Sequence, residues 1–169
     1  MKKVILLIII LILFTGCSDI YNQGNFVLPD DIEFLAIIQE LDTPEKIGDY
    51  TEENFTLETN LILLNPYQLF IAKKGCCDDF ALFTTYIANY HNYETYQILI
   101  KFPLNMYDSQ YHMIGVFKEG DYYNISDNIN YIECFCESFK EIMNFYLYHG
   151  WISYTVYDYD MNIVEEINN

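Results

Sequence analysis

The sequence contains no arginine, and its 8 lysines stand against 25 Asp and Glu for a formal net charge of −17. Such a surface repels phosphate backbones and makes nucleic acid a poor candidate partner. It repels anionic lipid headgroups as well, so charge would not hold this chain on a membrane. Four prolines, seven glycines and the lack of any internal repeat exclude collagen-like and low-complexity chains. The long apolar run of a transmembrane helix is missing too: the run from Val4 to Phe14 spans 11 residues, where a bilayer needs about 20. Histidine is scarce, with only His91, His112 and His149 as candidate general bases. What is abundant is apolar: 52% of residues are hydrophobic, and 17 Tyr and 12 Phe appear among 169 residues. That composition excludes disorder and suits one domain with a real core. The absence of Arg beside plentiful Ile, Asn and Tyr reads as an AT-rich coding bias.

Met1-Lys2-Lys3 and the apolar run that follows fit the n- and h-regions of a signal peptide. Leu13-Phe14-Thr15-Gly16-Cys17 resembles a bacterial lipobox, with Phe14 where leucine is usual. The expected organisation is a signal peptide over 1–16, lipidated Cys17 and an Asn-rich tether over 17–28, and a single domain over 29–169. It implies an exported cell-envelope protein attached to the membrane through its N-terminal lipid. An ordinary cleaved signal or an uncleaved anchor are the alternatives.

Four cysteines remain, at 76, 77, 134 and 136. Export permits disulfides, and four cysteines allow three pairings that sequence does not choose between. A catalytic Cys77 should be free. Cys76 then pairs with Cys134 or Cys136, or stays reduced; a Cys76–Cys77 disulfide would silence the thiol.

Helix signals dominate the first half. Pro29-Asp30-Asp31 opens a helix with Ile32, Leu35, Ala36 and Ile38 on its apolar face. Thr43-Pro44-Glu45 starts a second, with Thr as N-cap and Pro in the first turn, and with Ile47, Tyr50 and Phe55 facing inward. Asn60–Leu64 is a short apolar run broken by Asn65-Pro66, and Tyr67–Ala72 leads into Lys73-Lys74-Gly75-Cys76-Cys77-Asp78-Asp79-Phe80. There a basic, glycine-containing turn runs into a helix whose Phe80, Phe83 and Ile87 recur at core spacing. A thiol at a helix N-terminus has unpaired N–H groups and the positive end of the macrodipole beside it, and both favour thiolate. Asp78 and Asp79 suit a first turn, yet as anions they oppose ionisation of the thiol unless they point away.

Strand signals dominate the second half: Glu94–Phe102, Tyr111–Lys118 and Tyr122–Ser126, the last two joined by a hairpin turn at Glu119-Gly120-Asp121, with a polar loop over Pro103–Gln110. A late helix over Glu137–Tyr148 closes at His149-Gly150, a last strand covers Trp151–Tyr159, and a polar tail follows. Helices first and strands later predict an α+β fold with an antiparallel sheet. In an antiparallel hairpin the start of one strand lies beside the end of its partner. The turn is nearly midway between His112 and Asp127, so spacing alone makes these two neighbours at the open end of the hairpin.

Gly75-Cys76-Cys77-Asp78-Asp79-Phe80-Ala81-Leu82 resembles the G-x-C-x-D-[FY]-A-x-L signature of transglutaminase-like cysteine enzymes. Tyr111 to Asn128 is similar to the family's His strand, glycine-centred turn and Asp strand. The resemblance implies a papain-like core in which the Cys helix packs on the sheet that carries His and Asp. It implies Cys77 as nucleophile, His112 as general base and acid, and Asp127 as the orienting acid. It implies a peptidase- or amidase-type hydrolase forming a thioester, with no cofactor and no metal, acting on peptide or protein, wall peptide included. Cross-linking by acyl transfer, a binding module with an idle triad, and a disulfide-bonded structural lipoprotein are the alternatives.

Four other features read as structural. His91 lies in a turn, and His149 reads as a favourable cation at a helix C-terminus. Cys134-x-Cys136 lacks the spacing of a zinc site, and Asp158-x-Asp160-x-Asn162 lacks the glycine and glutamate of a calcium loop.

Overall fold

Five helices and eight strands make up the part of the chain that this computed structural model describes, residues 26–59, 62–103 and 110–168. The expected signal peptide, Cys17 and most of the tether lie outside the described residues, as does most of the loop after Pro103. Phe26 and Leu28, at the end of the expected tether, pack against the core, Phe26 edge-on to Tyr86 at 5.0 Å. Among the described residues no helix is long and apolar enough to cross a membrane.

Helix α1 (Ile32–Glu40) starts where Asp31 accepts the N–H groups of Glu33 and Phe34 at 3.0 Å. Its buried stripe is Phe34 and Ile38, continued by Leu41, whereas Ile32 and Ala36 are exposed. The expected face is therefore rotated. The reason is Phe34, a large aromatic ring that packs 5.0 Å from Phe70 and 5.2 Å from Tyr67. Helix α2 (Pro44–Asn54) follows the Thr43 cap and buries Ile47 as expected. A short helix α3 (Pro66–Ala72), capped by Asn65, occupies what reads in sequence as a lead-in. Strands β1 (Thr56–Leu57) and β2 (Lys74–Gly75) form a two-residue parallel clip that delivers the chain to α4 (Cys77–Tyr90).

The main sheet runs β6-β5-β4-β3-β7-β8, and every pairing in it is antiparallel. Its strands are β3 (Glu94–Lys101), β4 (Tyr111–Glu119), β5 (Tyr122–Asp127), β6 (Asn130–Cys136), β7 (Ser153–Asp158) and β8 (Ile163–Asn168). Helix α4 crosses one face at Gly115, where a Cβ would stand 2.9 Å from Thr84 Oγ1; only hydrogen fits between helix and strand. Phe34, Ile47, Phe80, Phe83, Ile87 and Phe117 build the core on that side. On the opposite face Ile98, Ile100, Ile114, Val116 and Ile125 pack against Ile142, Met143 and Tyr146 from α5 (Phe139–Asn144) and the chain after it. This is the α+β architecture expected, with N-terminal helices on one face of an antiparallel sheet.

Three expectations need correction. The late helix is only Phe139–Asn144, followed by a 3-10 turn at Leu147–His149, because the chain must bend to lay Tyr146 against the sheet. The polar tail is strand β8, stabilised by pairing with β7 rather than by an apolar face of its own. Strand β6 was not evident: Asn128 (φ +54) turns the chain back after β5, and Phe135 (φ +49) breaks the alternation inside it.

Candidate active site

Cys77 is the first residue of α4, and Cys76 is its N-cap in extended conformation. The two adjacent thiols have different surroundings. Cys76 is buried, and its Sγ donates to Asp78 Oδ1 at 2.6 Å and to Asp79 Oδ2 at 3.2 Å. Burial pushes its ionisation far up, and the two carboxylates push it the same way. Cys76 is thereby held as a thiol. Both aspartates are turned toward Cys76 and the backbone. Asp79 accepts the N–H of Cys76 at 2.8 Å and that of Leu64 at 2.6 Å, reaching back to the N-cap as an acid in the first turn can. Burial raises the Asp79 carboxyl above its usual range while these N–H bonds pull it down, and the net is upward. Gly75 makes the arrangement sterically possible: a Cβ there would lie 2.8 Å from Asp79 Oδ2.

The three ligand-type atoms of Cys76, Asp78 and Asp79 lie within 4.8 Å of one another. They already satisfy each other and three N–H groups, those of Leu64, Cys76 and Asp79, which is a structural reason for their proximity.

Cys77 is partly exposed and lies near enough to the His112 imidazole to favour its charged form. His112 Nε2 stands 2.7 Å from Asp127 Oδ1. A carboxylate only accepts, so Nε2 carries the proton and Nδ1 is the ring nitrogen not engaged by Asp127. The β4–β5 register pairs Gly115 with Ser126, which puts Asp127 across from Ile114 and two residues from His112 on the same face. That is a diagonal cross-strand pair, within reach of an imidazole. Burial works against the charged imidazolium and is the largest influence. Asp127 and Cys77 together outweigh it and raise His112 to about 10. Burial likewise raises Asp127, but His112 and the Tyr146 hydroxyl overcome this and hold the carboxyl below its usual range. The His112 and Asp127 side chains are 21% and 23% exposed, so the pair is not sealed from solvent.

Cys77, His112 and Asp127, far apart in sequence, are thus brought together. Cys134 and Cys136 are not part of this constellation. Both are free, as are Cys76 and Cys77. Cys134 Sγ donates to the Tyr123 carbonyl at 3.0 Å, and Cys136 lies in the core on the face opposite α4. Of the alternatives open for Cys76, the reduced one is found, and the sheet separates it from Cys134 and Cys136. His91 lies in the turn after α4, half-buried, and its Nε2, 2.7 Å from the Ile38 carbonyl, ties α4 to α1. Asp158 and Asn162 bond to each other within the β7–β8 turn.

Two residues at the site were missed in the sequence. Asn128 Nδ2 donates to Asp127 Oδ1 at 3.0 Å, and the Tyr146 hydroxyl donates to Asp127 Oδ2 at 2.7 Å. Asn128 is adjacent to Asp127 and could have been suspected as an αL turn residue. Nothing in the sequence singles out Tyr146 from sixteen other tyrosines.

No family model and no curated protein matches the chain. Among solved structures it is similar to LapG of Legionella pneumophila in a calcium-bound form and in a further form, each at 16% identity and TM-score 0.45, over 79% of this chain and 71% of that one. An EGTA-treated form of LapG matches at 14% identity and TM-score 0.44, over 72% of this chain and 71% of that one. Likeness at that level is partial and carries nothing about chemistry.

Proposed function

We propose that the chain is a cysteine hydrolase of the transglutaminase-like class that cleaves amide bonds in peptide or protein. The observation that carries this reading is His112 Nε2 at 2.7 Å from Asp127 Oδ1, with the Cys77 thiol close enough to act on the same imidazole. A base within reach of a thiol, itself oriented by a buried carboxylate, is the arrangement that nucleophilic catalysis needs. The Gly75–Leu82 signature and the His and Asp strands support the class.

In this mechanism the Cys77 thiolate adds to the amide carbonyl. The N–H of Cys77, in the first helical turn and without an intrahelical partner, donates to the oxyanion. Imidazolium His112 gives its proton to the leaving amine, and the C–N bond breaks to leave a thioester. His112 then takes a proton from water, hydroxide adds to the thioester, and the carboxylic acid leaves as Cys77 regains its charge. Asp127 keeps the proton on Nε2 and stabilises the imidazolium throughout. The same reading makes residues 1–16 a signal peptide and Cys17 the lipidated N-terminus of a cell-envelope protein, with wall peptide among the substrates to try.

The test is alkylation of Cys77 by iodoacetamide across pH 5–10, located by peptide mass mapping, in protein carrying Cys76→Ala with and without His112→Ala. Fast reaction near neutral pH that is lost with His112 is expected. A Cys77 that titrates like a free thiol near pH 8.5 and ignores His112 defeats the reading.

A further inference from the structure

Asp127 is held from two sides. Oδ1 takes His112 and Asn128, and Oδ2 takes the Tyr146 hydroxyl at 2.7 Å. Tyr146 does not belong to the hairpin. It follows α5, 19 residues beyond Asp127, and its ring is buried at 8% exposure among Ile142, Met143 and the sheet. The ring centroid also lies 6.3 Å from that of His112, tilted by 53°. One side chain therefore touches both members of the pair, from the face of the sheet opposite α4.

A carboxylate held by one oxygen swings about its terminal torsion, which has no deep staggered wells. A second donor on the other oxygen stops that rotation and fixes the line along which the carboxylate meets Nε2–H. The donor is itself anchored by its buried ring, so its own position costs little further ordering. We infer that Tyr146 is a positioning residue for the Cys77–His112–Asp127 site, holding the Asp127 carboxylate in the plane that orients His112, and that the segment after α5 is thereby part of the working site. This rests on the triad reading above. The groups facing Asp127 are His112, Asn128, Tyr146 and, electrostatically, His149.

The experiment compares the full chain with Tyr146→Phe and Asp127→Asn. It reads the Cys77 alkylation rate against pH, the His112 imidazole titration by NMR, and the melting temperature. Phe keeps the ring and removes one oxygen. Tyr146→Phe is expected to slow Cys77 alkylation at pH 7 by about tenfold, at the lower end of what loss of an outer-shell partner costs. It is expected to move the His112 midpoint down, toward an ordinary imidazole, in the same direction as Asp127→Asn and by less. If Tyr146→Phe changes only the melting temperature while Asp127→Asn moves both other readouts, Tyr146 is structural: the inference falls and the triad reading stands. If Asp127→Asn moves neither, the triad reading fails and the inference with it. Should Tyr146→Phe not fold, the Tyr146 hydroxyl proton of the unsubstituted chain decides. Slow exchange that Asp127→Asn abolishes supports the inference, and fast exchange indifferent to Asp127 overturns it.

Discussion

Asp79 Oδ2 accepts the backbone N–H of Cys76 at 2.8 Å, so the residue before the candidate nucleophile is clamped by a buried carboxylate from its own helix. The same carboxylate holds the N–H of Leu64, tying the approach to α3 to the start of α4. Asp79→Ala strands the buried N–H of Cys76, at a cost of about 1–3 kcal/mol, and the part-buried N–H of Leu64, at less. Asp79→Asn keeps one acceptor and should cost less. Urea denaturation at pH 7 checks this: Asp79→Ala within about 0.5 kcal/mol of the parent, the range of an ordinary surface substitution, would contradict the clamp.

The neighbouring thiols should differ sharply in reactivity. Burial and the Asp78 and Asp79 carboxylates hold Cys76 protonated, whereas Cys77 is partly exposed beside His112. A small alkylating reagent at pH 7–8 is expected to label Cys77 and leave Cys76 unlabelled until the protein unfolds, when both react. Mass mapping of the native reaction tests it. Comparable labelling of both residues would mean that the Cys76 bonds do not persist in solution.

The His112–Asp127 pair should make stability depend on pH. His112 is raised from 6.5 to about 10 in the fold, so its contribution is complete below about 6.5 and is lost as pH rises through about 10. Asp127 is lowered from 3.8, so its contribution is present above that value and is lost as pH falls through its folded value. The pair therefore contributes most between about pH 4 and 6.5. Unfolding free energies from pH 4 to 10 should fall on the alkaline side in the parent more steeply than in His112→Ala. Parallel profiles would show that His112 is not paired in the folded state.

Gly48 is where α2 meets β6, and a Cβ there would stand 2.2 Å from Tyr131 Cβ and 3.4 Å from its Cα. The obstacle lies at the root of a side chain in a paired strand, so it cannot swing aside. Nearby, Thr51 donates to the Ile129 carbonyl at 2.9 Å, two residues from Asp127. Gly48→Ala should force α2 off the sheet at a cost of about 1–3 kcal/mol, or roughly 2–12 °C in melting temperature for a domain of this size. An unchanged melting temperature would show that the helix has room to withdraw.

Much of the fold was legible where one local rule acts alone. Thr43-Pro44 states the start of α2, and Glu119-Gly120-Asp121 states the β4–β5 turn, with Gly120 at φ +68. The hairpin carries the candidate site with it, since counting outward from that turn is enough to bring His112 near Asp127. Strands β6 and β8 were not legible. The alternation of β6 is broken at Phe135, and β8 (Ile-Val-Glu-Glu-Ile-Asn) is a largely exposed edge strand whose reason to be extended is its neighbour. The apolar face of α1 was misjudged for a related reason: several faces of the helix carry apolar residues, and Phe70 and Tyr67, from another helix, decide which is buried.

By itself the sequence determined the start of the Cys77 helix, the hairpin and the pairing of His112 with Asp127. Caps, turn dihedrals and strand register act over a few residues and leave their mark in order and spacing. Only the tertiary structure decided that Asp78 and Asp79 face Cys76 and leave Cys77 to His112, that the sheet keeps Cys76 from Cys134 and Cys136, and that Tyr146 closes on Asp127. Those outcomes depend on which side chains fill the shared core and the space at the sheet's end. Packing between segments tens of residues apart sets them, and it has no local period to read.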